Sequence, residues 1–178
     1  MNLDLSDRLI KLKEECKSFR VGVIGVGKFA TMFLAQAKNS PAIDIAAIAD
    51  LNFKRAEDAL RTAGFEKDLN TSGLEEADVS NEIWYTDSGQ ELAECEQLDL
   101  VIEATGNPEA AVDHCLAAFS VKSHVVLVTV EADVLCGPEI IKRANAAGVV
   151  CSMAYGDQPA LICELIEKVK SSGFEVVC

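Results

Sequence analysis

From about residue 19 onward, short β-branched apolar runs alternate with stretches in which apolar residues recur every three or four positions. That alternation predicts repeated strand–helix units. Strands are expected at Arg20–Gly25, Ile43–Ala49, Ile83–Thr86, Leu98–Ala104, His124–Val130, Val149–Met153 and Phe174–Val177. Helices are expected between them, at Lys28–Asn39, Lys54–Ala63, Gly89–Glu96, Pro108–Phe119, Gly137–Ala147 and Pro159–Ser171. Residues 1–19 form a separate opening segment, with Leu5, Leu9 and Leu12 at helical spacing. Several strands, VVLVTV above all, are apolar at consecutive positions, the pattern of a parallel strand covered by helices on both faces. The expected fold is therefore a doubly wound α/β fold with a mostly parallel sheet, spanning residues 20–178 as one domain. Between Gly64 and Asn81 polarity rises and periodicity is lost, which reads as a surface excursion. The final run, GFEVVC, reads as a strand with nothing after it to cover it, and a chain cut short before a further domain is favoured over an edge strand.

Composition narrows the class. A chain of 178 residues can bury roughly 70% of its unfolded surface, enough to fold without disulfides or metal. Its 29 acidic against 16 basic residues give a net charge of -13, which argues against binding nucleic acid or an anionic membrane. The opening residues interleave charges with leucines, and the apolar runs fall far short of the roughly 20 residues needed to span a bilayer. A soluble, cytoplasmic protein is expected. Seven cysteines, an odd number with no C-x-x-C pair, predict buried thiols rather than disulfides or a zinc site. His114 is expected on a helix surface.

The candidate chemistry begins at Gly25-Val26-Gly27-Lys28-Phe29-Ala30, a G-x-G-x-x-A placed between a predicted strand and a predicted helix. Gly25 permits the turn, Gly27 lets a pyrophosphate approach the backbone, and Ala30 keeps the helix close to the sheet. Amides of the first helical turn, with the helix dipole behind them, then face the phosphates. Asp50 ends the second predicted strand, twenty residues after Ala30, where a carboxylate can accept from the adenosine ribose hydroxyls. The unit predicts dinucleotide binding. A carboxylate at Asp50 repels a 2′-phosphate and favours NAD, with NADP left open because Lys54 and Arg55 follow closely.

Ligands of open α/β sheets lie outside the carboxyl ends of the strands. Ala104-Thr105-Gly106-Asn107 is one such end, expected to line the nicotinamide ribose, with Pro108 starting the next helix. Glu131 leaves the next strand and is either solvated or aimed into the cleft. Asp157 is a helix cap first and a cleft residue second.

The segments RVGVIGVGKFATMF, VIEATGNPEAA, TVEADVLCGP and MAYGDQPALICELI together resemble the homoserine dehydrogenase-like oxidoreductases with a C-terminal SAF domain. That group includes enzymes resembling deoxyxylulose-phosphate reductoisomerase. The resemblance covers the chain from about Leu9 and implies an NAD(P)-binding domain followed by a catalytic and oligomerisation region. Related sugar oxidoreductases carry Glu-Lys-Pro after the fifth strand, and ordinary homoserine dehydrogenases Asn-Lys. This chain reads Glu131-Ala132-Asp133, so neither lysine role transfers and no catalytic residue is assigned. The resemblance implies hydride transfer between a nicotinamide and a small polar alcohol or carbonyl substrate, in a protein that could form homo-oligomers. A stand-alone dinucleotide-binding or sensing module, or an inactive remnant, is the alternative.

Overall fold

The computed structural model describes residues 5–15, 17–40, 42–154, 156 and 158–177. In chain order the elements are α1 (Leu5–Glu14), β1 (Phe19–Ile24), α2 (Lys28–Ala37), β2 (Ile43–Ala49), α3 (Phe53–Ala63), β3 (Leu69–Asn70), α4 (Leu74–Ser80), β4 (Ile83–Thr86), α5 (Gly89–Ala93), β5 (Leu100–Glu103), α6 (Pro108–Ser120), β6 (His124–Leu127), α7 (Val130–Ala147), β7 (Cys151–Met153) and α8 (Gln158–Ser171). The strands form one sheet in the order β3-β4-β2-β1-β5-β6-β7, and every pairing is parallel. The doubly wound α/β expectation is correct. The order reverses between β1 and β5, which opens a crevice at their carboxyl ends.

Strand parity explains the consecutive apolar residues. Val21 and Val23 of β1 pack with Leu34 of α2 and Leu60 of α3, whereas Ile24 packs on the opposite face with Leu92 of α5 and Cys115 of α6. Both faces are core. Leu34 is fully buried, and its truncation to Ala would cost about 2–5 kcal/mol.

One irregularity matters for the site. In the β1–β2 ladder Val21 pairs with Ile45 but Gly22 with Ala47, leaving Ala46 as an extra residue. The insertion shifts the side-chain phase: Ile45 and Ile48 face α2 and α3, while Ala46, Ala47 and Ala49 face the other layer. Asp50, next in line, consequently turns toward α2 and α3. Without the shift it would point away from them.

Three expectations need correction. The Gly64–Asn81 excursion contains β3 and α4; α4 buries only Leu74 and Ala77, too few apolar residues to impose a visible period. The strand expected at His124–Val130 ends at Leu127, and α7 begins at Val130 rather than Gly137. The β-branched residues of VTVEAD imitate a strand, and Pro138 marks only the second part of α7, beyond a non-helical Cys136 with φ -152° and ψ 29°. Residues 174–177 form no strand and lie exposed. Their β-branched residues have no neighbouring strand to complete a ladder.

Candidate functional site

The turn between β1 and α2 is built for close approach. Gly25 has φ +85°, and a Cβ there would lie 2.8 Å from the carbonyl oxygen of Ala104, so both conformation and space require glycine. Gly27 has an ordinary φ of -74°, and a Cβ built on it meets nothing within 4 Å. Glycine at this position keeps the space outside the turn free. Gly27 is also the N-cap of α2, with no side-chain cap, whereas Asn52, Ser88 and Asn107 cap α3, α5 and α6. Thr31 N donates to Gly27 O at 3.0 Å, and the helical amides ahead of it have no acceptor within the helix. They are free to meet an anion. Lys28 and Phe29 are exposed beside them, whereas Val26 is buried in the core.

Asp50 is tied to this turn. Its Oδ2 accepts from Val26 N at 2.9 Å, and its Oδ1 from Asn52 N at 2.9 Å. Arg55 adds a fork: Nη2 donates to Oδ1 at 2.6 Å, and Nε lies 2.9 and 3.1 Å from the two oxygens. The carboxylate raises the guanidinium pKa, first through these hydrogen bonds and then through its charge. The Arg55 side chain is 56% exposed and the Asp50 side chain 1%, so arginine is the partner with open access to water. Tyr85 OH donates to Asp50 O at 2.6 Å, and burial foremost, with the Asp50 and Asp87 charges, pushes the phenol pKa up.

A second carboxylate lies at the end of β5. Glu103 is fully buried and faces the layer opposite to Asp50. Its Oε1 accepts from Thr105 Oγ1 at 2.6 Å and Thr105 N at 3.3 Å, and His114 Nδ1 lies 3.4 Å away. That last contact is a hydrogen bond for the tautomer protonated at Nδ1. Its Oε2 accepts from the Thr129 hydroxyl, which in turn accepts from Gly106 N at 3.0 Å.

Residues 19–155 match the oxidoreductase family with an NAD-binding Rossmann fold. The chain belongs to that family. Among curated proteins none matches by sequence. Solved structures share the fold at low identity: homoserine dehydrogenase of S. aureus is 17% identical with a TM-score of 0.54, the match covering 78% of this chain and 32% of that one. Zymomonas mobilis 1-deoxy-D-xylulose 5-phosphate reductoisomerase with NADPH gives 18% and 0.54, covering 77% and 38%. An Agrobacterium radiobacter oxidoreductase in complex with NAD+, L-tartaric acid and magnesium gives 18% and 0.63, covering 88% and 41%. The chain thus spans well under half the length of these structures.

Within this NAD-binding fold, the sequence-predicted residues separate into groups. Gly25, Asp50, Thr105 and Asn107 line one cavity of about 250 Å³, together with Arg55, Asp87, Gly89 and His114. This is smaller than the roughly 300–1,000 Å³ of pockets that enclose drug-sized ligands, so a dinucleotide would lie partly in the cavity and partly across the open crevice. Gly27 and Lys28 border an adjoining, shallower depression that Arg55 also lines. Ala104 and Gly106 belong to the β5 turn, and Val26 contributes its amide to Asp50 while its side chain fills the core. Glu131 sits exposed in the first turn of α7, and Asp157 lies outside the described residues.

The placement of His114 is a further correction. It is 9% exposed and lines the cavity instead of standing on a helix surface. A Cβ on Gly89 would lie 2.5 Å from its Nε2, so the imidazole fits only because that position is glycine. Glu103 carried one legible signal, a lone acid inside an apolar strand, whereas Thr129 carried none, because the expected strand ran through it. Cys115 is buried against Cys151, and their hydrogen bond together with burial pushes its thiol up. No helix among the described residues is long and apolar enough to cross a membrane.

Proposed function

We propose that this chain is the cofactor-binding portion of a homoserine dehydrogenase-like NAD(P)-dependent oxidoreductase, serving a small polar alcohol or carbonyl substrate. The observation that carries this reading is the uncapped start of α2, with open space at Gly27, beside a cavity that ends at Asp50. These features fit a dinucleotide. First-turn amides of α2, with Lys28 and Phe29 at the rim, would hold the pyrophosphate, and Asp50 the adenosine ribose. The Ala104–Asn107 turn would wall the nicotinamide side, with Glu131 at its outer edge. When bound, the nicotinamide supplies a hydride donor or acceptor. The chain's own part is to fix orientation and exclude water. Exposed apolar side chains on α7 and α8, Val134, Leu135, Ile162 and Leu165 among them, support a further covering surface, from a substrate-bearing region or a second copy.

NAD is the preferred form in this reading. Asp50 already uses both oxygens, so ribose hydroxyls would displace Arg55 rather than fill a vacant acceptor. A 2′-phosphate would bring further negative charge beside the same carboxylate. Titrating NADH and NADPH against wild type and Asp50→Ala tests this. The expected result is tighter NADH binding by wild type and loss of that preference, by about tenfold, in the variant. Unchanged NADH affinity in Asp50→Ala would overturn the ribose assignment.

The second reading, a dinucleotide-binding module without chemistry, is favoured by one feature. The cavity's Arg55 and His114 both face carboxylates of the protein itself. Oxidation of homoserine or a simple polyol by the purified chain would reject it.

A further inference from the structure

The turn after β5 has an unusual hydrogen-bond economy. Three successive amides point inward: Thr105 N to Glu103 Oε1, Gly106 N to Thr129 Oγ1, and Asn107 N to Thr105 Oγ1 at 3.2 Å. Both threonine hydroxyls then donate to Glu103, one to each oxygen. Every inward amide of the turn therefore ends on one carboxylate, directly or through one hydroxyl. Thr129 adds independent support. It stands at the N-cap of α7, where threonine ordinarily accepts from the helix, yet it makes no side-chain cap there. Its hydroxyl is engaged with Glu103 and Gly106 instead.

We propose that Glu103 is a positioning residue that holds the Thr105–Asn107 turn in register for the nicotinamide half of the cofactor, with Thr129 as its relay from the neighbouring strand end. This rests on the dinucleotide reading above. With its amides drawn into the protein, the turn is left to offer carbonyls and small side chains to a ligand on its outer side. Such a surface suits hydroxyl and carboxamide donors and disfavours phosphate. The phosphates are thereby left to the amides of α2, and each end of the dinucleotide meets chemistry of its own kind. A neutral amide in place of the Glu103 carboxylate puts an NH2 where one hydroxyl now donates, so that hydroxyl loses its acceptor and its oxygen meets a second donor that competes with the backbone amide it holds.

The test compares NADH with ADP-ribose, which lacks the nicotinamide, for wild type, Glu103→Gln, Thr129→Val and Thr129→Ser. Binding is followed by calorimetry and by nicotinamide fluorescence, and folding by thermal melting. Glu103→Gln and Thr129→Val are expected to weaken NADH by about tenfold and to leave ADP-ribose unchanged. Thr129→Ser, which keeps the hydroxyl, should restore NADH binding. Equal weakening of both ligands would overturn the proposal in favour of a general structural role. Unchanged NADH affinity in the folded variants would overturn it as well. If Glu103→Gln does not fold, the Val and Ser variants of Thr129 decide alone. Should wild type bind neither ligand, the dinucleotide reading fails first and takes the proposal with it.

Discussion

Asp50 and Glu103 occupy equivalent places, each a buried acid at the carboxyl end of a strand on either side of β1, yet they are satisfied in different ways. Asp50 faces α2 and α3 and is held by two backbone amides and a half-exposed arginine. Glu103 faces α6 and α7 and is held by two threonine hydroxyls, one backbone amide and a histidine, with no part of it exposed. An acid paired to an exposed surface cation can change partners when a ligand arrives. A fully buried one, held by the buried Thr129 and by the turn it braces, cannot, and serves as a fixed point. The comparison separates a part of the crevice that exchanges contacts from a part that holds shape.

Stability should show the largest difference. Glu103→Ala strands the buried Thr129 hydroxyl and frees the Thr105 side chain at the cavity rim, and is expected to cost about 2–3 kcal/mol in chemical denaturation. Asp50→Ala should cost less, since Arg55 can return to water. Equal losses would break the distinction. Next comes Arg55→Ala, which removes the exchangeable partner. NADPH binding should weaken severalfold to about tenfold while NADH binding stays level or tightens, because the Asp50 oxygens are released. Loss of NADH affinity on that substitution would mean that the arginine holds the cofactor and the acid merely supports it.

The smallest expected effect is alkaline. Tyr85 donates to the Asp50 carbonyl, and its pKa is raised in the fold, above the unfolded value of about 10. The folded state therefore binds this proton more tightly. Its contribution is present below pH ~10 and is lost as pH rises through the folded value. Tyr85→Phe should flatten the decline of stability above pH ~10, and an unchanged slope would show that Tyr85 contributes nothing to it.

Much of this was legible in the residues. Covering both faces of the sheet produces long apolar runs, and the glycine turn with its distal acid is a local pattern spread over one strand–helix–strand unit. The features that decide the site's behaviour were not local. Ala46, whose insertion aims Asp50, looks like any other residue of IDIAAIAD. Glu103 finds its partners 2, 11 and 26 residues away, a set that no periodicity encodes. His114 was expected on a helix surface, yet the space above Gly89 takes the ring inward. In α7 the β-branched start favoured a strand, and local propensity lost to a helix that packs against α6 and β7.

The dinucleotide reading depends most directly on Gly27, where a side chain would meet solvent space and nothing of the protein. Fluorescence titration of NADH against wild type and Gly27→Val, with thermal melting of both, separates binding from folding. Near-identical melting with NADH bound by wild type and lost by the valine variant is expected. NADH binding that survives Gly27→Val unchanged would contradict the assignment of the phosphates to this turn.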